Sequence, residues 1–253
     1  MDKSTNTIPR GIAEAEWQAR IQLAAAYRIF DHLGWIEMIY NHITLRVPGE
    51  EGAFLINPFG LRYDEVTASN LVKIDVHGNR LAGEHPVNPA GFIIHGAIHA
   101  ANPDAHCVIH THTTEGIAVA CQENGLAADS FHSVILYERV GYHAFEGITT
   151  NPGEQARLLA SIGSHRAVIL RNHGLLTWGS SLPEAFLWMW HLQRACEIQV
   201  MSHAMGPVRK LPKDVCEKSH ALLTSFNQQS AFGADVFAAM QRKIDRIAPS
   251  YRE

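Results

Sequence analysis

The sequence predicts an α/β fold, a single domain whose sheet is covered by helices. Apolar residues recur at helical spacing from Ile12 to about Leu33 and again after Ser181. Short apolar runs separated by tight turns occupy the region between 43 and 75, where antiparallel strands are expected. Two further apolar runs, Cys107-Val-Ile-His110 and Ala167-Val-Ile-Leu170, lead to histidine at or just past their ends. Strands interleaved with helices in this way place a sheet beneath helical layers.

In chain order, residues 1–10 read as a loose tail. The first helix carries Trp17, Ile21, Ala24, Ala25 and Ile29 on its apolar face and stops at Gly34. Pro48, Gly49 and Gly52 mark a hairpin between Ile43-Thr-Leu45 and Phe54-Leu-Ile56. A strand at 71–75 follows the turn Asn57-Pro-Phe-Gly60. Asn88-Pro-Ala-Gly opens a helix over about 92–101, and Pro103-Asp104 ends it before the strand at 106–111. Thr113 to about Gln122 reads as helix, Phe131 to Tyr137 as strand, and Tyr142 to Gly147 as loop. Asn151-Pro152-Gly-Glu154 is a capping box with proline at the first helical position, opening a helix that ends near Gly163. Ser181-Leu-Pro-Glu184 is a second such start, for a helix reaching about His203. That helix carries Phe186, Trp188, Met189, Trp190, Leu192 and Ile198, too many large apolar groups for one narrow stripe, so it is expected to be buried on more than one side. Pro207 and Pro212 break it, and a more polar helical segment runs to about Ile247.

Composition narrows the function. A net charge of −4 and a pI near 6.5 give no electrostatic case for nucleic acid. No run approaches the roughly 18 apolar residues of a membrane span. The N-terminus lacks the apolar core of a signal peptide, and Cys107, Cys121, Cys196 and Cys216 show no close pairing, so a soluble cytoplasmic protein with reduced thiols is expected. Sixteen histidines make metal chemistry worth pursuing and also raise the rate of accidental motifs.

His110 and His112 are two apart, so on a strand both rings project from one face. Paired imidazoles suit a divalent metal, with nitrogen about 2.0–2.1 Å from zinc. His173, after the second apolar run, is the third candidate; three protein ligands leave a position open for chemistry. The alternative is a pair of histidines hydrogen-bonded at a strand end. His-Glu-x-x-His, Ser-x-x-Lys and Gly-x-Ser-x-Gly are absent, so protease and serine-hydrolase chemistry have no support.

Asn88-Pro-Ala-Gly-Phe with His95, then His110-Thr-His112, then Leu170-Arg-Asn-His-Gly174 and Ala195-Cys-Glu-Ile-Gln199 resemble the class II aldolase/adducin family in order and spacing. The resemblance covers about residues 19–202. It implies a three-layer α/β/α domain with a mainly antiparallel nine-stranded sheet, usually a homotetramer, with active sites at subunit interfaces. It also implies that His110, His112 and His173 bind the metal, zinc first, with manganese and iron also suited. It divides the chain into a tail and helix start at 1–18, the family domain at 19–205 and a C-terminal helical extension at 206–253.

The departures bear on substrate. The aldolases carry Ser-Ser-Glu where this chain has Pro89-Ala90-Gly91, so two phosphate-holding hydroxyls and an acid are missing. Asn41 matches the asparagine of the phosphate loop, but Tyr40 replaces its glycine; Gly60 keeps the glycine of the second phosphate turn. Asn41, Gly60 and Tyr40 are therefore the candidate substrate-binding residues. Replacement acid/base groups are sought in His95, one turn past Gly91; in Glu115, behind the histidine pair; and in His132, Tyr137, Tyr142 and His143, in the segment where aldolases supply a proton donor from the neighbouring subunit. For each the alternative is ordinary packing or a solvated surface. Arg171 and Asn172 are expected to orient His173. The expected activity is a metal-dependent lyase cleaving a C–C bond, by retro-aldol reaction or decarboxylation, in a small non-phosphorylated substrate. The resemblance is also to the adducin head, for which a binding or assembly role without catalysis is the alternative.

Overall fold

A computed structural model describes residues 8–147, 153–227 and 231–253. The expected helix start at Asn151-Pro152 lies outside the described residues, as do the side chains at 89–91.

The chain opens with α1 (Glu14–Leu33), closed by Gly34 in the left-handed conformation. Strands β1 (His42–Arg46), β2 (Ala53–Ile56), β3 (Val72–Asp75) and β4 (Arg80–Ala82) follow as an antiparallel meander. Next come α2 (Pro89–Ala101), β5 (Cys107–Thr111), α3 (Thr114–Ala120), α4 (Phe131–Ile135), β6 (Val140–His143) and α5 (Glu154–Ile162). The hairpin β7 (Ala167–Leu170) and β8 (Gly174–Gly179) leads into the long α6 (Leu182–Ala204), then α7 (Lys213–Asn227) and α8 (Ala234–Ile247).

The sheet order is β4-β3-β2-β1-β5-β8-β7-β6, antiparallel except for the β6–β7 pair. Among the described residues this gives eight strands, one fewer than the family resemblance implies. Side chains alternate across the strands and so divide the core in two. Ile43, Leu45, Cys107, Ile109 and Leu175 pack under α1, α3, α6 and α8, together with Phe30, Phe186, Met189 and Phe237. Val108, Val168, Leu170 and Leu176 face α2 and α5 through Ile94, Ile98, Leu158 and Ile162. Helices on both faces make the expected three layers.

The helix α6 is capped as its sequence predicts, Ser181 accepting the backbone N–H of Glu184. Phe186, Met189, Leu192 and Cys196 are fully buried, each large apolar side chain contributing roughly 1.5–3 kcal/mol. The polar tail does not swing free: Phe237, Ile244 and Tyr251 pack back into the larger core.

Two local expectations fail. The segment expected as a strand at Phe131–Tyr137 is instead the short α4, because Ser130 and Ser133 cap each other reciprocally and hold the backbone in a turn. The segment expected as a loop from Tyr142 begins within β6, which uses the free edge of β7.

Candidate metal centre

The central strands bring three histidines to one point. His110 ends the inward-facing row of β5 on the α2/α5 side, and His112 continues that row just past the strand. His173 sits in the three-residue turn between β7 and β8, where Asn172 takes a left-handed conformation (φ 56°) and donates its backbone N–H to Ala120. Gly174 is required behind it, since a Cβ there would lie 2.3 Å from the Thr111 carbonyl oxygen. Arg171 anchors the turn by donating to the Gln122 carbonyl and stacking 4.4 Å over the Tyr142 ring.

The ligand nitrogens of His110, His112 and His173 lie within 4.8 Å of one another. His110 Nε2 is 2.9 Å from His112 Nε2, which is 3.0 Å from His173 Nε2. The protons are elsewhere. His110 Nδ1–H donates to the Leu175 carbonyl at 2.8 Å. Asn41 Oδ1 accepts both the backbone N–H of His112, at 2.8 Å, and its Nδ1–H, at 3.1 Å. Neutral His110 and His112 therefore present bare Nε2 lone pairs to each other, and no ring proton is left to bridge them. Burial disfavours adding one. It pushes His110 well below the ordinary histidine range and His112 down to about 4, with the neighbouring rings adding to the effect; His173 is lowered for the same first cause. Converging lone pairs held by carbonyl oxygens behind them fit a divalent cation, which removes the repulsion.

The other expected residues are distributed unevenly. Asn41 is buried with its amide donating to Trp35 and its oxygen on His112, so both ends are engaged in orienting a ring. Tyr40 beside it is half exposed. Gly60 is exposed at φ 104°, and a methyl group added there would meet no atom within 4 Å. His95 is fully buried with both nitrogens bonded, to His42 and to Thr44, one layer behind the triad. Glu115 begins α3 outside the histidine cluster, and its field reaches Cys196 on α6. His132 pairs with His191 of α6, their Nδ1 atoms 3.2 Å apart. The Tyr142 hydroxyl accepts the Leu126 N–H, while Tyr137 is half-buried beside α4.

Two residues with other expected roles, or none, lie at the site. Glu154, read from the sequence as a helix cap, is buried in a small cleft lined by His143, Phe145, Arg171 and His173. Its Oε1 is 3.3 Å from His143 Nε2, while His143 Nδ1 is 3.1 Å from Ser161 Oγ. Ser161 spends its own proton on the Arg157 carbonyl, so it accepts from His143 Nδ1. His143 Nε2 thus faces the Glu154 carboxylate. His42, unremarked in the sequence, is the cross-strand partner of His110, with ring centroids 5.1 Å apart. Its alternation with Ile43 and Leu45, and the i, i+4 pair His95 and His99 opposite, were the available signals.

The pattern of the Class II Aldolase and Adducin N-terminal domain matches residues 21–200. An aldolase II superfamily protein from Pseudomonas syringae superposes with a TM-score of 0.92 at 40% identity, covering 96% of this chain and 98% of that one. The L-fuculose 1-phosphate aldolase from Glaciozyma antarctica superposes at 0.81 with 27% identity over 98% of both chains. Rat alpha-adducin is 41% identical over 90% of this chain, which spans 33% of the adducin.

Proposed function

Because the chain belongs to the class II aldolase and adducin family, we propose that it is a metal-dependent lyase. It cleaves a C–C bond beside a carbonyl in a small, non-phosphorylated hydroxy or oxo acid or aldehyde. The observation that carries this reading is the convergence of the Nε2 atoms of His110, His112 and His173, with the Nδ1 protons of His110 and His112 committed to Leu175 and Asn41. When bound, a divalent metal, zinc first among the candidates, supplies Lewis-acid polarisation of a carbonyl. Leu175 and Asn41 fix the His110 and His112 rings, so that their Nε2 atoms face the same point as that of His173. Phe145 packs edge-on against His173, with ring centroids 6.0 Å apart. The His143–Glu154 pair lines the same cleft as His173 and is the proposed replacement for the acid missing at Gly91.

Engagement of Asn41 with His112 and Trp35, and the Tyr40 ring beside it, support a substrate without phosphate. The second reading, a binding or assembly role like that of an adducin head, draws on the similarity to alpha-adducin over 90% of this chain. No helix among the described residues is long and apolar enough to cross a membrane. The proposal places the lyase in the cytoplasm as a homotetramer, the assembly usual in the family.

Metal analysis of the purified protein separates the readings, because the lyase carries near-stoichiometric metal and a binding module need not. The zinc-loaded protein is expected to leave L-fuculose 1-phosphate essentially uncleaved. Robust retro-aldol turnover of that phosphate would show that the substrate is phosphorylated after all.

A further inference from the structure

Behind the triad runs a buried chain of side chains whose proton order is dictated from one end. His99 Nδ1 is 2.7 Å from the Ala105 carbonyl, which can only accept, so Nδ1 carries the proton and His99 Nε2 is an acceptor. Thr44 Oγ1 lies 2.7 Å from that Nε2 and gives it the single hydroxyl proton. Thr44 Oγ1 must then accept from His95 Nδ1, 2.8 Å away. His95 Nε2 is left as an acceptor, and at 2.9 Å it takes the proton of His42 Nδ1. The chain ends on His42 Nε2, a bare lone pair. His42, His95 and Thr44 are at most 4% exposed and His99 1%, so water does not scramble this order from outside. Burial also keeps the ring at the far end of the chain neutral, pushing His99 down to about 3.

No described residue bonds His42 Nε2, yet it is not sealed in the core as Trp17 Nε1 is. His42 touches His95 on one side and the His110 ring on the other, with His112 and His173 also within electrostatic reach. We propose that His42 Nε2 is a fixed hydrogen-bond acceptor for a hydroxyl of the molecule held at the three histidines. An acceptor locked in this tautomer welcomes an O–H donor and rejects a carbonyl, ether or carboxylate oxygen placed at the same point. It therefore selects hydroxy compounds over their oxo or O-alkylated counterparts. This inference rests on the metal-lyase reading for its ligand but not for its tautomer.

Two measurements test it. Nitrogen-15 spectra of the imidazole rings, recorded on the metal-free and the zinc-loaded protein, should show His42 protonated at Nδ1 and bare at Nε2 in both. Zinc-loaded protein should then bind glycolate several-fold to about tenfold more tightly than methoxyacetate, a tenfold ratio corresponding to about 1.4 kcal/mol. The ratio should fall towards one in His42→Phe. A proton on Nε2, equal affinity for the two acids in the wild type, or a zinc-induced shift at Nε2 matching those of the three ligands would each overturn the proposal. Failure to retain zinc despite the expected His42 tautomer would instead remove the lyase reading and the hydroxyl ligand with it.

Discussion

His110, His112 and His173 lie beside His42, His95 and His99 on one face of the same sheet, and burial depresses all six towards the neutral form. What divides the two trios is where their protons go. In the first, the Nδ1 protons of His110 and His112 point away from the centre to Leu175 and Asn41, so the two Nε2 acceptors face each other with no proton between them. In the second, donor meets acceptor at every contact from Ala105 to His95, and one acceptor is left over at His42. Histidine at close spacing is thus no guide to metal binding by itself. Counting protons against acceptors is.

If that distinction is sound, removing a ring from the first trio abolishes metal binding. His110→Ala, His112→Ala and His173→Ala should each purify with little or none of the metal that the wild type carries, measured by elemental analysis after gel filtration. Full retention in all three would break the comparison outright, because the two trios would then be equivalent.

A smaller effect is expected one layer out. Asn41→Ala leaves all three rings in place but frees His112 to turn over and present a proton at Nε2. Loss of such an orienting partner typically weakens metal affinity about 10–100-fold. Competition titration with a chelator should show that loss, with full occupancy recovered at excess metal. Unchanged affinity would mean that Asn41 is not what sets the His112 ring, and its role as a substrate ligand would return to consideration.

The two trios also differ in how far the sequence exposes them. The first is legible because His-x-His on an apolar strand and a histidine in a following strand turn are rare together, and the family's motifs place them in order. The second is less legible: the strand expected at Ile43-Thr-Leu45 begins at His42 in the structure, so that His42 and Thr44 share one side of it. That side is covered by α2 through His95 and His99, whose i, i+4 spacing is the one local hint of it. Glu154 was legible as a helix start but not as a carboxylate near His173, since the contact depends on how α5 packs beside β6. The layered fold could be read from periodicity, whereas α4 and β6 could not. They are short, and their state is set by a serine pair in one case and by a vacant sheet edge in the other.

The smallest effect tests the second trio at its centre. Thr44 sits between two histidines and satisfies both through one hydroxyl, donating to His99 and accepting from His95. Valine has nearly the same shape but no hydroxyl, so Thr44→Val leaves a buried donor and a buried acceptor unpaired. That should cost about 1–3 kcal/mol in unfolding by urea. Thr44→Ser keeps the hydroxyl and loses one methyl group, for which about 0.8 kcal/mol is the expected scale. Metal affinity should stay close to wild type in both, because neither change touches a ring that faces the metal. Were serine as damaging as valine, the packing of the methyl group rather than the hydrogen bonds would hold the chain together. The fixed proton order that ends at His42 would then lose its physical basis.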